Sequence, residues 1–297
     1  MWISDVSSPF FYGIIKIEMK KIPSKIFHSI IVVVIASVLV AVGLKAGDKA
    51  INFGASLVGI SSSKTGLCPS DMSFTPSADG GFCIDKYENS ADPACPFLNP
   101  KNQSETRENL NYPNCKPVSK INAVPWRYIS QNQAATACAK AGKRLPTNKE
   151  WYQAALGTPD KFSGADDCFL GQPSAPEPVL TGSRKNCVSS FNVFDMVGNV
   201  WEWTEETISD GYYVNKRKLP EEGFVKSADN EGVAAETDFH TPDENYGKDY
   251  FWLQESGVQG MFRGGYWGRS DDAGIYSIFA ASPPSFAGNA VGFRCVK

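Results

Sequence analysis

The chain has only two histidines in 297 residues, His28 and His240, and its eight cysteines include no Cys-x-x-Cys pair. The usual zinc and thioredoxin-like spacings are therefore missing. With one histidine in an apolar run and the other in a polar stretch, no nucleophile–histidine–acid set can be assembled. An excess of positive charge is also missing: 29 Lys and Arg stand against 32 Asp and Glu, for a net charge of −3. Nothing here suggests neutralisation of a phosphate backbone, so nucleic acid is not an expected partner. No repeat of fixed period occurs. What is abundant is aromatic residues (Trp 7, Tyr 11, Phe 18), Gly 26 and Pro 19, which favours a loop-rich fold over a helical bundle.

The cysteines lie at 68, 83, 95, 115, 138, 168, 187 and 295. Eight thiols in a metal-poor chain read as four disulfides made outside the cytoplasm, each contributing about 2–4 kcal/mol. Cys95 with Cys115 and Cys168 with Cys187 are candidate staples of irregular segments, and Cys68 and Cys83 are counted among the bridged residues. The amino terminus agrees with export. Lys20, Lys21 and Lys25 precede an apolar run over 27–44, long enough to cross a hydrocarbon core with the amino end inside. The reading is a cytoplasmic segment 1–26, a transmembrane anchor 27–44, a linker 45–67 and a folded extracellular domain 68–297. Cleavage of 27–44 as a signal peptide is the alternative and would make the domain secreted.

Within the domain, the alternation in 80–90 predicts a strand with Phe82 and Ile84 on one face. Residues 129–142 predict a helix capped by Ser130, with Ala134, Ala135, Cys138 and Ala141 on one face and Gly142 as its stop. Residues 144–157 predict a second helix, with Thr147 and Glu150 as a capping box, Trp151 and Ala155 facing inward and Gly157 ending it. Residues 93–117 and 158–190 read as loops. Val200, Trp201 and Trp203 suggest a short buried strand after a Gly198–Asn199 turn. Residues 207–260 read as polar and irregular, with strand candidates at Tyr212–Tyr213 and 249–253.

Three pieces occur in order: "AGKRLPTNKEWYQAALG", "FDMVGNVWEW" and "FRGGYW…VGFRC". Together they resemble the formylglycine-generating enzyme (sulfatase-modifying factor) family, a variant of the C-type lectin fold. The resemblance implies an α+β, disulfide-stapled domain over 68–297. It implies a bridge from Cys138 on the first helix to Cys295 in the last strand. It also implies a loop able to wrap a structural calcium ion through Asp195 and Glu202, with carbonyls from Gly198 and Val200. Family enzymes oxidise a substrate cysteine with a carboxy-terminal cysteine pair and copper. This chain has no cysteine between Arg263 and Phe293, and it lacks the histidines of the iron-dependent branch. Neither copper nor iron, and no catalysis, is expected.

The segment 263–295 has a further likeness, to the variable region of the target proteins of diversity-generating retroelements. Those systems randomise adenines in asparagine codons, and the resulting codons never specify Lys, Glu, Gln, Met or Trp. From Gly264 to Val296 there is no Lys, Glu, Gln or Met, and the one Trp, Trp267, occupies a framework position. The frame marks Tyr266, Gly268, Arg269, Ser270, Asp271, Asp272, Phe279, Ala281, Ser282, Phe286, Gly288 and Ala290 as exchangeable, ligand-binding positions. Tyr and Phe supply contact area, Arg and Asp directional polar contacts, and Ser, Gly and Ala close fit. Trp267, Ile275, Ile278, Val291 and Phe293 are expected to be buried, and Arg263 and Arg294 to pair with carboxylates or carbonyls. The resemblance thus implies a non-catalytic, surface-displayed protein that binds a protein or another cell-surface macromolecule. The alternatives are a formylglycine-generating-type oxidase and a calcium-dependent carbohydrate-binding lectin.

Overall fold

A computed structural model describes residues 68–297, apart from Lys161 and Asp271. The segment 1–26, the anchor or signal at 27–44 and the linker 45–67 lie outside the described residues.

The centre of the domain is a mixed sheet with strand order β7-β6-β5-β11-β12-β10-β8-β9, in which β13 also pairs with β5. Its strands are β5 (Trp201–Ser209), β6 (Tyr212–Tyr213), β7 (Arg217–Lys218), β8 (Gly223–Ala228), β9 (Ala234–Asp238), β10 (Tyr250–Leu253), β11 (Val258–Arg263), β12 (Ile278–Ser282) and β13 (Val291–Gly292). Two small antiparallel pairs precede it: β1 (Met72–Thr75) with β2 (Phe82–Asp85), and β3 (Asn89–Ala91) with β4 (Pro117–Ser119). Three α-helices among the described residues complete the α+β fold: α1 (Gln103–Asn111), α2 (Gln131–Lys140) and α3 (Asn148–Ala155).

Helices α2 and α3 form where their caps dictate. Ser130 with Gln133 and Thr147 with Glu150 each close a reciprocal capping box, satisfying donors that a first turn otherwise leaves unpaired. The inward face of α2 is Gln131, Ala134, Ala137 and Cys138, while Ala135 is exposed and Ala141 half-buried. The expected face was therefore rotated: the helix packs along Ala134 and Ala137–Cys138 rather than toward Ala135. In α3, Trp151 and Ala155 are buried beside Ile84 and Val296.

Two expectations of irregular structure are corrected. Residues 93–117 contain helix α1, whose buried side chains are Thr106 and Asn109. Thr106 Oγ1 accepts from Trp126 Nε1 at 3.1 Å, and the Asn109 amide bonds both backbone groups of Phe97. A helix that buries polar groups this way carries no apolar stripe to read. The stretch 207–260 holds most of β8 to β11. In β8 only Gly223 and Val225 are buried, so its alternation is faint.

The four bridges are Cys68–Cys83, Cys95–Cys115, Cys138–Cys295 and Cys168–Cys187. Cys138–Cys295 spans 157 residues and joins α2 to the chain end. All eight cysteines are paired.

Candidate ligand-binding cleft

The segment 263–295, some of whose positions the sequence frame marks as exchangeable, starts from β11 and returns to the sheet at β13. Both ends are fixed by buried arginines. Arg263 is fully buried and donates to carbonyls of Gly232 (2.7 Å), Ile275 (2.9 Å) and Glu231 (3.1 Å). Its guanidinium lies over the Trp151 ring at 5.0 Å, and burial lowers its pKa to about 10. Arg294, also fully buried, grips Glu202 with two bonds, Nε to Oε2 at 2.6 Å and Nη2 to Oε1 at 2.5 Å. It also donates to the carbonyls of Phe194 and Asp85. Gly264 and Gly265 follow Arg263 at φ of +88° and +87°. A Cβ on Gly264 would sit 2.6 Å from the Met196 carbonyl oxygen, so both backbone conformation and space demand glycine there.

Between these ends, two loops are held chiefly through main-chain atoms. In the first, Trp267 N donates to Asn199 O at 3.2 Å, Gln172 N to Trp267 O at 2.7 Å and Tyr250 N to Asp272 O at 3.1 Å. Tyr276 N donates to the buried carboxylate of Asp249 at 2.7 Å. In the second, the carbonyls of Pro284, Gly288 and Ala290 accept from Gln131 N, Tyr128 N and Trp201 N. Those of Ser285 and Asn289 accept from Gln103 Nε2 and Arg127 Nη1. Main-chain anchors do not depend on the side chain displayed at the same residue.

The side chains converge. Tyr266, Arg269, Phe279, Ser282, Phe286, Gly288 and Ala290 line one open cleft of about 210 Å³, over a floor that includes Trp201, Phe262 and Val291. Asp272 pairs with Arg269 at 3.0 Å on its flank. Gly268 and Ser270 sit on the same turn, half-buried and exposed respectively, and Ala281 is half-buried two residues beyond Phe279 on β12. Asp271 lies outside the described residues. Phe286 is 40% exposed. A Cβ on Gly268 would meet the Tyr266 ring, and one on Gly288 the Phe286 ring; both obstacles are side chains rather than backbone.

Among the framework residues, Trp267, Ile278, Val291 and Phe293 are buried. Ile275 is half-buried, packed beside two of the core clusters. Sequence reasoning overlooked Tyr250 and Trp252. The alternation of β10 sends Phe251 and Leu253 into the core and these two rings to the cleft side, where Trp252 packs on Phe279 and carries the Arg269 guanidinium 4.5 Å over its ring. The strand candidate at 249–253 already held that signal. Arg127 was overlooked as well. It pairs with Glu177 beneath the second loop.

Of the residues expected to hold calcium, the two carboxylates have other partners. Both Glu202 oxygens are taken by Arg294, and Oε2 also accepts from Trp151 Nε1 at 2.7 Å. Asp195 Oδ2 accepts from Gly182 N at 2.6 Å, Gly198 N donates to Gly264 O, and Val200 N donates to Glu88 at 3.1 Å. Burial raises the pKa of Asp195 to about 7. Among the described residues, no three His, Cys, Asp or Glu side chains are grouped to hold a metal ion. Glu202 therefore already faces a cation, Arg294, and the bonds named for Gly198 and Val200 use their N–H groups, not the carbonyls expected to ligate. His240 is exposed beside Phe239.

The model of the sulfatase-modifying factor enzyme 1-like domain matches residues 76–297. The inactive C-alpha-formylglycine-generating enzyme 2 of Mus musculus is 32% identical over 107 residues, covering 28% of this chain and 32% of the relative. The formylglycine-generating enzyme of Thermomonospora curvata is 28% identical over 110 residues, covering 31% and 36%. The chain thus spans about a third of the curated relatives it matches. Among solved structures, the Major Tropism Determinant U1 variant superposes with a TM-score of 0.43 at 17% identity, covering 77% of this chain and 53% of that one. Treponema denticola variable protein 1 gives 0.39 at 15%, covering 77% and 91%.

Proposed function

The chain belongs to the sulfatase-modifying factor enzyme 1-like domain family, and on that premise we propose that it is a non-catalytic binding protein whose segment 263–295 is diversified by a retroelement. One observation carries the reading. Seven of the positions marked as exchangeable, six of them bearing side chains, meet in one cleft, while the loops that bear them are tied down by backbone carbonyls and amides. Such a site keeps its shape while its chemistry is replaced. The partner is a protein or another macromolecule on a cell surface. The domain is displayed outside the cell, held by the apolar segment 27–44 or released if that segment is cleaved.

Chemistry of the enzyme relatives' kind has little support in this chain. Every cysteine is committed to a bridge, and the mouse relative is itself named inactive. The flanking DNA tests the retroelement directly. The expected finding is a near-copy of the codons for 263–295, differing at template adenines, beside a reverse transcriptase gene. Its absence would overturn the diversification reading. Turnover of a cysteine-bearing peptide on addition of copper would overturn the non-catalytic one.

A further inference from the structure

The exchangeable cleft continues into rings that the diversified segment does not encode. Phe224 of β8 and Tyr250 of β10 are register partners, with ring centroids 5.0 Å apart. Tyr250 and Trp252 follow at 4.8 Å. Trp252 is the register partner of Phe279 on β12, at 6.0 Å, and Phe279 stacks on Phe262 of β11 at 4.9 Å. The five rings form one strip across four strands, on the face opposite Val225, Phe251 and Ile278, which fill the core. Phe224, Tyr250 and Trp252 are all half-buried. On the other side of β10, Phe251 and Leu253 face a core that does not include these three rings, while Trp252 also meets Trp201 edge-on at 5.8 Å at the margin of the neighbouring cluster.

We infer that the binding surface has a constant half, Phe224, Tyr250 and Trp252, which receives a protruding aliphatic or aromatic side chain of a protein partner whatever the exchangeable residues are. The inference rests on the reading above in one respect, that the cleft face is the one that meets the partner. Three observations favour a protein. The strip is continuous with the cleft through Trp252 and Phe279, so a ligand seated in one overlaps the other. Trp and Tyr carry a disproportionate share of protein-interface energy. A sugar ring needs an open aromatic face. Here Phe224 meets Tyr250 edge-on at 83° whatever the exchangeable residues are, and in this chain the Arg269 guanidinium also lies over the Trp252 face at 4.5 Å. What remains available is ring edges and apolar flanks, which suit a side chain inserted end-on. Arg269 joins the two halves: it is exchangeable, yet it rests on a constant indole.

The test uses the full chain and a phage library of random peptides. Peptides are selected separately on the unmodified chain and on a chain carrying Tyr266→Ser and Phe286→Ser. The affinity of each selected peptide is then measured against Trp252→Leu and Tyr250→Leu, with thermal midpoints recorded for every variant. The expected result is that both sets lose roughly tenfold in affinity in each constant-half variant, although the two sets differ in sequence. Affinities unchanged within about twofold in a folded Tyr250→Leu chain overturn the constant half while leaving the exchangeable cleft intact. Loss in Trp252→Leu with no difference between the two peptide sets supports the constant half and removes the exchangeable cleft. Binding of array-displayed glycans, abolished by Trp252→Leu, overturns the protein assignment.

Discussion

The Phe279 ring lies on the Phe262 ring with centroids 4.9 Å apart and planes 6° from parallel. Phe279 is among the positions proposed to be exchangeable, whereas Phe262 is buried in the core with Trp201 and Trp203. Phe286 approaches the same Phe262 ring only at 6.4 Å and stands 40% exposed. The two phenylalanines therefore divide differently between support and display. Phe286→Ala is expected to abolish partner binding at a cost of less than about 0.5 kcal/mol in stability, as for a surface change. Phe279→Ala is expected to abolish binding and also to cost about 1–3 kcal/mol, because it strips a stacked ring from the core's edge. Urea denaturation alongside a binding titration separates the two. Equal stability losses would mean that Phe286 is packed as tightly as Phe279.

Much of this arrangement is legible in the sequence, and what is not has a common physical reason. Helices α2 and α3 announce themselves by Ser130, Thr147 and Glu150 because capping is a local matter. The cleft positions are marked by the rigid frame around them. Helix α1 was missed because Thr106 and Asn109 satisfy distant groups, and nothing local reveals that Trp126 and Phe97 are their partners. Tyr250 and Trp252 read as half of an ordinary strand. Only the pairing of β10 with β12 sets them beside Phe279. Arg127 and Asp249 are likewise defined by what the fold brings to them, a loop carbonyl in one case and the Tyr276 amide in the other.

The glycines of the segment fall into two kinds, and substitution should separate them. Gly264 holds a left-handed φ and faces a fixed carbonyl oxygen at 2.6 Å, whereas a Cβ on Gly288 would press on the end of the Phe286 ring at 2.9 Å. Gly264→Ala is expected to cost more than about 1 kcal/mol, from αL strain plus backbone displacement. Gly288→Ala is expected to fall within about 0.5 kcal/mol of the parent, since Phe286 swings aside. Thermal midpoints of the two single variants decide it. A larger loss at Gly288 would show that the second loop is not free to exchange residues.

Arg294 and Glu202 sit at 0% and 1% side-chain exposure and hold the end of the segment against β5. Removing one member of a buried pair strands the other. Arg294→Met is therefore expected to cost about 3–5 kcal/mol. Arg294→Lys should recover only part of this, because an ammonium cannot reproduce the two parallel bonds. The guanidinium also supplies the positive charge that a calcium ion would bring to Glu202. Neither calcium nor a chelator is expected to move the thermal midpoint of the unmodified chain. A rise with calcium, reversed by chelation, would show that the ion competes successfully with Arg294.

Glu206 gives the fold a pH dependence of definite sign. Its Oε2 accepts from Asn148 N at 2.8 Å and Nδ2 at 3.0 Å at the start of α3, which favours the charged form. Burial, with Glu231 and Glu205 nearby, outweighs this and raises its pKa from 4.5 to about 7. The folded state thus binds a proton more tightly than the unfolded one. The resulting stabilisation is complete below pH 4.5, fades as pH rises and is gone above about 7. Burial raises Asp249 in the same sense, so the whole domain is expected to weaken from pH 5 to 8. Glu206→Gln keeps the acceptor for both Asn148 donors and never ionises. With solvent screening of a half-buried group allowed for, the variant should match the parent near pH 5 and exceed it by about 1–2 kcal/mol at pH 8. Urea midpoints across that range, with disulfides intact, give the comparison. If the variant were instead weaker at pH 8, attraction between the carboxylate and the amino end of α3 would be the larger effect, and the Glu206 carboxyl would be ionised in the neutral fold.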